Sequence, residues 1–332
     1  MPRVSYKGLL NATEQDLQSL SKATLVDGYF DLDLDCPEAV NLRQDVRYLE
    51  SFSEKIFDVP TPLKERYDFK TLGRFRTTGS LRLFRFKSLG VEEGAHAGQP
   101  DGFEMFMLPQ NELILSSYQP TLQSPDLVFS NRETLTRCMK RYEEAAQLIL
   151  RRVGEVLGLG DALLAAHQSD APSVTNLGFL RYPPQPTESR NFGHIAHTDV
   201  GTLTILSATA RGLQIMDVEK QDWVFVDPNP QQLFVQFGDC LKFLSQGRCI
   251  PSIHRVVPCD TEQATKYTLA YFVRPNEKAI ITSDDGTVWA YEDYHCRKFD
   301  AFARPLTHAR PEGEQQMISI RQLNLATHVG AA

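Results

Sequence analysis

Between residues 174 and 273 the sequence is a succession of short apolar and β-branched stretches separated by turn residues. The stretch 174–182 is extended and is closed by Pro183-Pro184-Gln185-Pro186. The stretches 203–206, 212–215, 223–226, 232–237, 240–244 and 266–273 follow, with Gly238-Asp239 as a turn ahead of Cys240. Runs this short, rich in Val, Ile, Phe and Thr, suit pleated strands better than helices. Many strands at close spacing predict a mainly β fold of the sandwich or jelly-roll type.

Inside this region lies Gly193-His194-Ile195-Ala196-His197-Thr198-Asp199-Val200-Gly201-Thr202. His197 and Asp199 are two residues apart, and in extended chain residues i and i+2 project from one face. An imidazole and a carboxylate therefore converge where a metal ion can hold both. The tripeptide alone is common on strands and turns. Its weight comes from the apolar run behind it and from a later histidine, His254, ahead of the strand-like Val256-Val257. Two His and one carboxylate make the facial triad of non-haem Fe(II) oxygenases, which leaves coordination positions open. Zinc takes the same donors in a closed site. A non-redox jelly-roll metal protein, such as a receptor or hydrolase, is therefore one alternative. A small-molecule binding module that has lost its chemistry is another.

On the last strong strand Lys266, Thr268, Ala270 and Phe272 share one face, and Tyr267, Leu269, Tyr271 and Val273 the other. A desolvated Lys needs an anionic partner. If this face looks into the cavity of His254, Lys266 and the Thr268 hydroxyl bind a carboxylate there. If Lys266 sits at a strand end, it reaches solvent instead.

The remainder reads as support. Helical spacing begins at Ala12-Thr13 and carries Leu17, Leu20 and Leu25; 28–34 alternates as a strand; 39–57 is helical and ends at Pro60 and Pro62. Around Thr78-Gly79-Ser80, the cations Arg74, Arg76, Arg82, Arg85 and Lys87 alternate with Phe75, Leu83, Phe84 and Phe86. This suits a solvated hairpin, with a nucleic-acid surface or one cation meeting an anionic substrate as alternatives. Residues 101–106 return into the fold. The stretch 130–158 is a helix with an apolar stripe including Leu135, Met139, Ile149 and Val153; Ser130 or Asn131 caps it and Gly158 and Gly160 close it.

The net charge of −7 argues against nucleic acid as partner. No apolar run matches a membrane span, and no secretion leader is visible. Six scattered Cys without a CxxC pair suit reduced thiols in a cytoplasmic enzyme.

These motifs together resemble the Fe(II)/2-oxoglutarate-dependent dioxygenase superfamily, in the branch of plant flavonoid and gibberellin oxygenases, isopenicillin N synthase and fungal natural-product oxidases. The resemblance runs through Gly28-Tyr29-Phe30, Arg181-Tyr182-Pro183-Pro184, His197-Thr198-Asp199-Val200-Gly201-Thr202, Gly212-Leu213-Gln214-Ile215, Trp223, Phe237-Gly238-Asp239 and His254-Arg255-Val256-Val257-Pro258. It implies a distorted double-stranded β-helix with flanking helices. It implies one integrated catalytic unit: an N-terminal region 1–120, supporting helices 121–172, a jelly-roll core 173–282 and a helical lid 283–332.

It further implies His197, Asp199 and His254 as iron ligands. Lys266, Thr268 and Tyr182 would grip 2-oxoglutarate, and Phe272 would touch substrate. Lys266 stands where the family has Arg, so a bidentate fork becomes a point charge. Leu180 stands where many plant members have an Asn. The implied reaction consumes O₂ and 2-oxoglutarate, releases succinate and CO₂, and oxidises a C–H bond of a small organic molecule, as in secondary metabolism, with ascorbate as supporting reductant. An oxidase of the isopenicillin N synthase type, which takes its electrons from the substrate, is the alternative on the same scaffold.

Overall fold

The computed structural model describes residues 1–68, 75–77, 80–82, 86–92, 100–115, 124–184, 193–257 and 264–303. The chain opens with β1 (Arg3–Ser5), α1 (Tyr6–Asn11), α2 (Glu14–Lys22), β2 (Tyr29–Asp33) and α3 (Val40–Asp58). A hairpin, β3 (Phe75–Thr77) and β4 (Ser80–Arg82), precedes β5 (Phe86–Lys87) and β6 (Glu104–Pro109). The long helix α4 (Arg132–Val156) leads into β7 (Asn176–Tyr182), β8 (His194–His197), β9 (Leu203–Ala208), β10 (Leu213–Asp217), β11 (Asp222–Phe225) and β12 (Gln232–Phe237). Then come α5 (Asp239–Leu244), β13 (His254–Val256), β14 (Lys266–Val273), the hairpin β15 (Ile280–Thr282) and β16 (Val288–Ala290), and α6 (Tyr291–Ala303).

Two sheets face one another. The larger runs β1-β2-β12-β9-β14-β7-β6-β5 and the smaller β11-β10-β13-β8. Side chains alternate across the larger sheet with period two. Leu177, Phe179, Ile205, Leu233, Val235, Leu269 and Tyr271 point outward into a core shared with the helices. Leu180, Tyr182, Leu206, Phe234 and Ala270 point inward, against Leu213, Ile215 and Val256 of the smaller sheet. Each fully buried Leu, Ile or Phe contributes roughly 1.5–3 kcal/mol. The outer layer thus fixes the sheet while the inner face is free to carry polar chemistry. α3 covers the outer face through Leu42, Leu49, Phe52 and Ile56, and α4 through Leu135, Met139, Tyr142, Ile149 and Val153.

Several expectations are revised. The helix expected from Ala12-Thr13 is α2, with Thr13 as its cap accepting the Asp16 N–H, but a further helix, α1, precedes it and ends where Ala12 takes a left-handed φ of 51°. Asn131 stands at the N-cap of α4 without capping it. Its Nδ2 donates to the Leu127 carbonyl and its Oδ1 accepts from Tyr48, so it staples α4 to α3 instead. Residues 240–244 are helical. The amides of Gly238, Asp239 and Cys240 bond to the carbonyls of Thr202, Asp199 and Gly201. They are used up on the loop after β8, and the chain coils rather than continuing a ladder.

The hairpin forms, but Lys87 is not solvated. It is 1% exposed, pairs with Asp101, donates to the Phe103 carbonyl and lies 3.8 Å from the Phe103 ring centroid. Arg74, Thr78, Gly79, Leu83, Phe84, Arg85, Gln185, Pro186, Pro258, Cys259 and residues 304–332 lie outside the described residues. The five described cysteines are free thiols. Among the described residues no helix is long and apolar enough to cross a membrane.

Candidate active site

The smaller sheet brings the predicted donors together. β8 and β13 are antiparallel, with His197 opposite His254, and the two ring centroids are 4.2 Å apart. Asp199 follows two residues after the end of β8. Its Oδ1 lies 3.7 Å from His197 Nε2 and 3.9 Å from His254 Nε2. The three donor atoms lie within 4.8 Å of one another, close enough to share one metal ion.

Their surroundings fix which atoms are presented. His197 Nδ1 is 2.7 Å from the Ile195 carbonyl, and His254 Nδ1 is 3.1 Å from the Ser252 carbonyl. A carbonyl only accepts, so each Nδ1 carries the proton and each Nε2 offers its lone pair. Asp199 Oδ2 accepts from the Thr204 hydroxyl (2.5 Å) and from Gln236 Nε2 (2.7 Å), which leaves Oδ1 toward the imidazoles. Burial pushes the Asp199 carboxyl up, but His197, His254 and Thr204 outweigh it and hold it well below the carboxylate range. Burial, with His197 beside it, pushes His254 down to about 4. A neutral imidazole and an ionised carboxylate are the forms that ligate metal.

The loop bearing Asp199 is held from two sides. Gly238 lets α5 approach: a Cβ there would lie 2.7 Å from the Asp199 carbonyl oxygen. Lys298 of α6 donates to the Thr198 carbonyl (2.9 Å) and hydroxyl (3.2 Å) and pairs with Asp239. Tyr294 donates to the same Asp239 carboxylate (2.8 Å). The peptide between two donors is thus clamped by a helix from the far end of the described chain.

The second part of the site lies on β14. Lys266 is 1% exposed and opposes Tyr182 across the β7–β14 pair, and Thr268 opposes Leu180. Lys266 Nζ lies 4.9 Å from the Tyr182 ring centroid. The solvent-reaching reading of Lys266 is therefore discarded. Thr268 Oγ1 is covered and has no hydrogen-bond partner among the described residues. Tyr182 stacks on Phe103 at 5.6 Å, and burial pushes its phenol far above its usual range, so it stays a neutral hydroxyl. Phe272 is on the same inner face and only half buried.

The comparisons with known proteins come down on one family. Residues 166–275 match the 2OG-Fe(II) oxygenase superfamily. The chain is 63% identical, over the full length of both, to the 2-oxoglutarate-dependent dioxygenase ecdG of Aspergillus rugulosus. The chain belongs to the 2OG-Fe(II) oxygenase superfamily. It is 32% identical to the 2-oxoglutarate-dependent dioxygenase gloE of Glarea lozoyensis, over 90% of this chain and 87% of that one. The fold agrees with that of a full-length Neurospora crassa protein in complex with alpha-KG, at a TM-score of 0.68, 18% identity and coverage of 90% and 96%. The oxygenase therefore has the jelly-roll core of its family, depends on Fe(II) and 2-oxoglutarate, and the non-redox alternatives are not favoured. Its finer placement beside isopenicillin N synthase stays an expectation.

Sequence reading missed Gln236, Thr204 and Lys298. Thr204 carries a weak local signal, as the polar residue on the inward parity of β9 beside Leu206 and Ala208, whereas Gln236 shares its parity on β12 with Gln232 as well as Phe234 and stands out less. Lys298 carries none, because its partner Thr198 is 100 residues away.

Proposed function

We propose that this oxygenase oxidises a C–H bond of a small organic molecule in secondary metabolism, with His197, Asp199 and His254 as its Fe(II) ligands. The convergence of three donor atoms within 4.8 Å carries the reading, since two imidazole Nε2 atoms and one carboxylate oxygen match the donor chemistry of ferrous iron. When bound, iron with 2-oxoglutarate and O₂ supplies the oxidising power for substrate C–H cleavage.

The chain's own residues do the rest. The Ile195 and Ser252 carbonyls hold both imidazoles in the ligating tautomer. Thr204 and Gln236 hold Asp199 to a single free oxygen. Lys266 supplies the charge for the distal carboxylate of 2-oxoglutarate, Thr268 the hydroxyl that lacks a partner, and Tyr182 a second hydroxyl. Lys266 has one ammonium where the family has a guanidinium fork, so orientation of the diacid falls more heavily on Thr268 and Tyr182. Phe272 offers substrate an apolar surface. In this reading the core 173–282 carries the chemistry, 1–120 and 121–172 support it, and 283–332 is the lid segment, of which 304–332 lie outside the described residues. Kinship with two fungal dioxygenases supports the metabolic setting, and the free thiols suit a cytoplasmic enzyme.

The test is succinate release from 2-oxoglutarate by protein reconstituted anaerobically with Fe(II), then exposed to O₂ and ascorbate. Release with Fe(II) but not Zn(II) is expected. Succinate release that is equal with Zn(II), or that survives loss of any of the three side chains, would overturn the ligand assignment.

A further inference from the structure

The inner face of β14 does not end at Phe272. Two residues on, one residue past the end of β14, Arg274 follows the spacing of Lys266, Thr268, Ala270 and Phe272. It is 5% exposed. Its Nη1 donates to the Val174 carbonyl at 2.7 Å, and its guanidinium carbon lies 5.3 Å from the Phe272 ring centroid. Its Nε is covered and has no hydrogen-bond partner among the described residues. Tyr291, Asp199 and Cys240 are the acidic groups near it; burial keeps the phenol and the thiol protonated, and Asp199 is already committed to the imidazoles, Thr204 and Gln236. A carbonyl satisfies one N–H but does not neutralise a guanidinium, and a buried charge without a counter-ion is costly.

The ground beside it is apolar. Gly178 of β7 leaves room for the Phe272 ring: a methyl there would lie 2.8 Å from Phe272 Cε2. The ring leans on the bare backbone and is partly buried rather than fully enclosed. Lys266 and Arg274 lie near opposite ends of one strand face, so two anions can bind without competing.

We infer that Arg274 binds a carboxylate of the substrate, which makes the substrate an organic acid whose apolar part lies on Phe272. This rests on the metal centre proposed above. Lys266 takes the cosubstrate's carboxylate, Arg274 the substrate's, and the metal donors lie between. An N–H aimed at an ionised oxygen is roughly twice as strong as one aimed at a neutral one. The acid is therefore preferred over its ester.

The experiment loads the full chain with Mn(II) and saturating 2-oxoglutarate under argon, so that Lys266 is occupied. Phenylacetate, 3-phenylpropionate, 4-phenylbutyrate and their methyl esters are added singly. Paramagnetic relaxation of the ring protons reports proximity to the metal. At least one acid should be relaxed about tenfold more strongly than its ester, as the gain from a charge-assisted bond implies. Arg274→Met should erase that preference and Arg274→Lys should keep part of it. The charge-transfer absorbance of Fe(II) with 2-oxoglutarate, recorded anaerobically, should be unchanged in both variants. Acids and esters relaxed alike by the parent, or a preference surviving in Arg274→Met, overturns the inference and leaves the metal centre standing. Absence of the charge-transfer absorbance in the parent overturns both.

Discussion

The two halves of the site are built on opposite principles. On the smaller sheet every donor is already engaged: each Nδ1 has a carbonyl, and Asp199 Oδ2 has two donors. On β14 and just past its end two polar atoms are covered but unfinished, since Thr268 Oγ1 and Arg274 Nε have no hydrogen-bond partner among the described residues. The first half is preorganised for an ion. The second is complete only when an anion arrives. A metal needs fixed geometry in advance, whereas an organic anion can supply the missing acceptors itself. Losses on the first half should therefore be absolute, and losses on the second should be recoverable by raising ligand concentration.

Substitution on the metal side should do most. His197→Ala or Asp199→Ala should abolish succinate formation and Mn(II) binding while circular dichroism stays native. Unchanged succinate formation in either variant would remove the triad from the chemistry. On the anion side, Lys266→Ala should raise the 2-oxoglutarate concentration needed for half-maximal rate about ten- to a hundredfold, as for loss of a charged hydrogen bond. Lys266→Arg should change it little. Parent-like kinetics for Lys266→Ala would take Lys266 out of the site. Lys298→Met tests whether the clamp on Thr198 belongs to the preorganised half. Mn(II) affinity measured by calorimetry should fall about tenfold, as for other outer partners of metal ligands. A change in the 2-oxoglutarate requirement alone would place the clamp with the other half.

The last effect leaves the chemistry untouched and acts on stability alone. His167 is buried between the Leu163 carbonyl and the Thr202 hydroxyl, and burial pushes it down to about 4. The unfolded imidazole titrates near 6.5, so the unfolded chain takes up the proton first as pH falls. Stability is then fully present above about pH 6.5 and declines toward pH 4, by on the order of 3 kcal/mol. His167→Gln should flatten that decline in urea titrations. An unchanged pH slope would assign it to other buried imidazoles.

What the sequence made legible follows from range. Strands with period-two alternation, such as β7, β9, β12 and β14, declare themselves, because each face is read within six to eight residues. His197 and Asp199 declare themselves for the same reason, being two apart on extended chain. Residues 240–244 are as apolar as a strand but coil. The amides at their entry, of Gly238, Asp239 and Cys240, answer to carbonyls at 199–202, a distance no local pattern spans. Asn131 has the composition of a cap, but α3 offers it the Tyr48 hydroxyl. Lys87 has the surroundings of a solvated hairpin, but Asp101 draws it inside. In each case a tertiary partner outbid the local rule.

The clamp from Lys298 to the Thr198 carbonyl sets an order of assembly. A ribosome that has released the segment bearing both histidines has still to deliver the residue that steadies the peptide between His197 and Asp199. A chain cut short before α6 would keep all three donors and lose that brace, so if they hold iron as proposed it should grip the ion less firmly than the full chain.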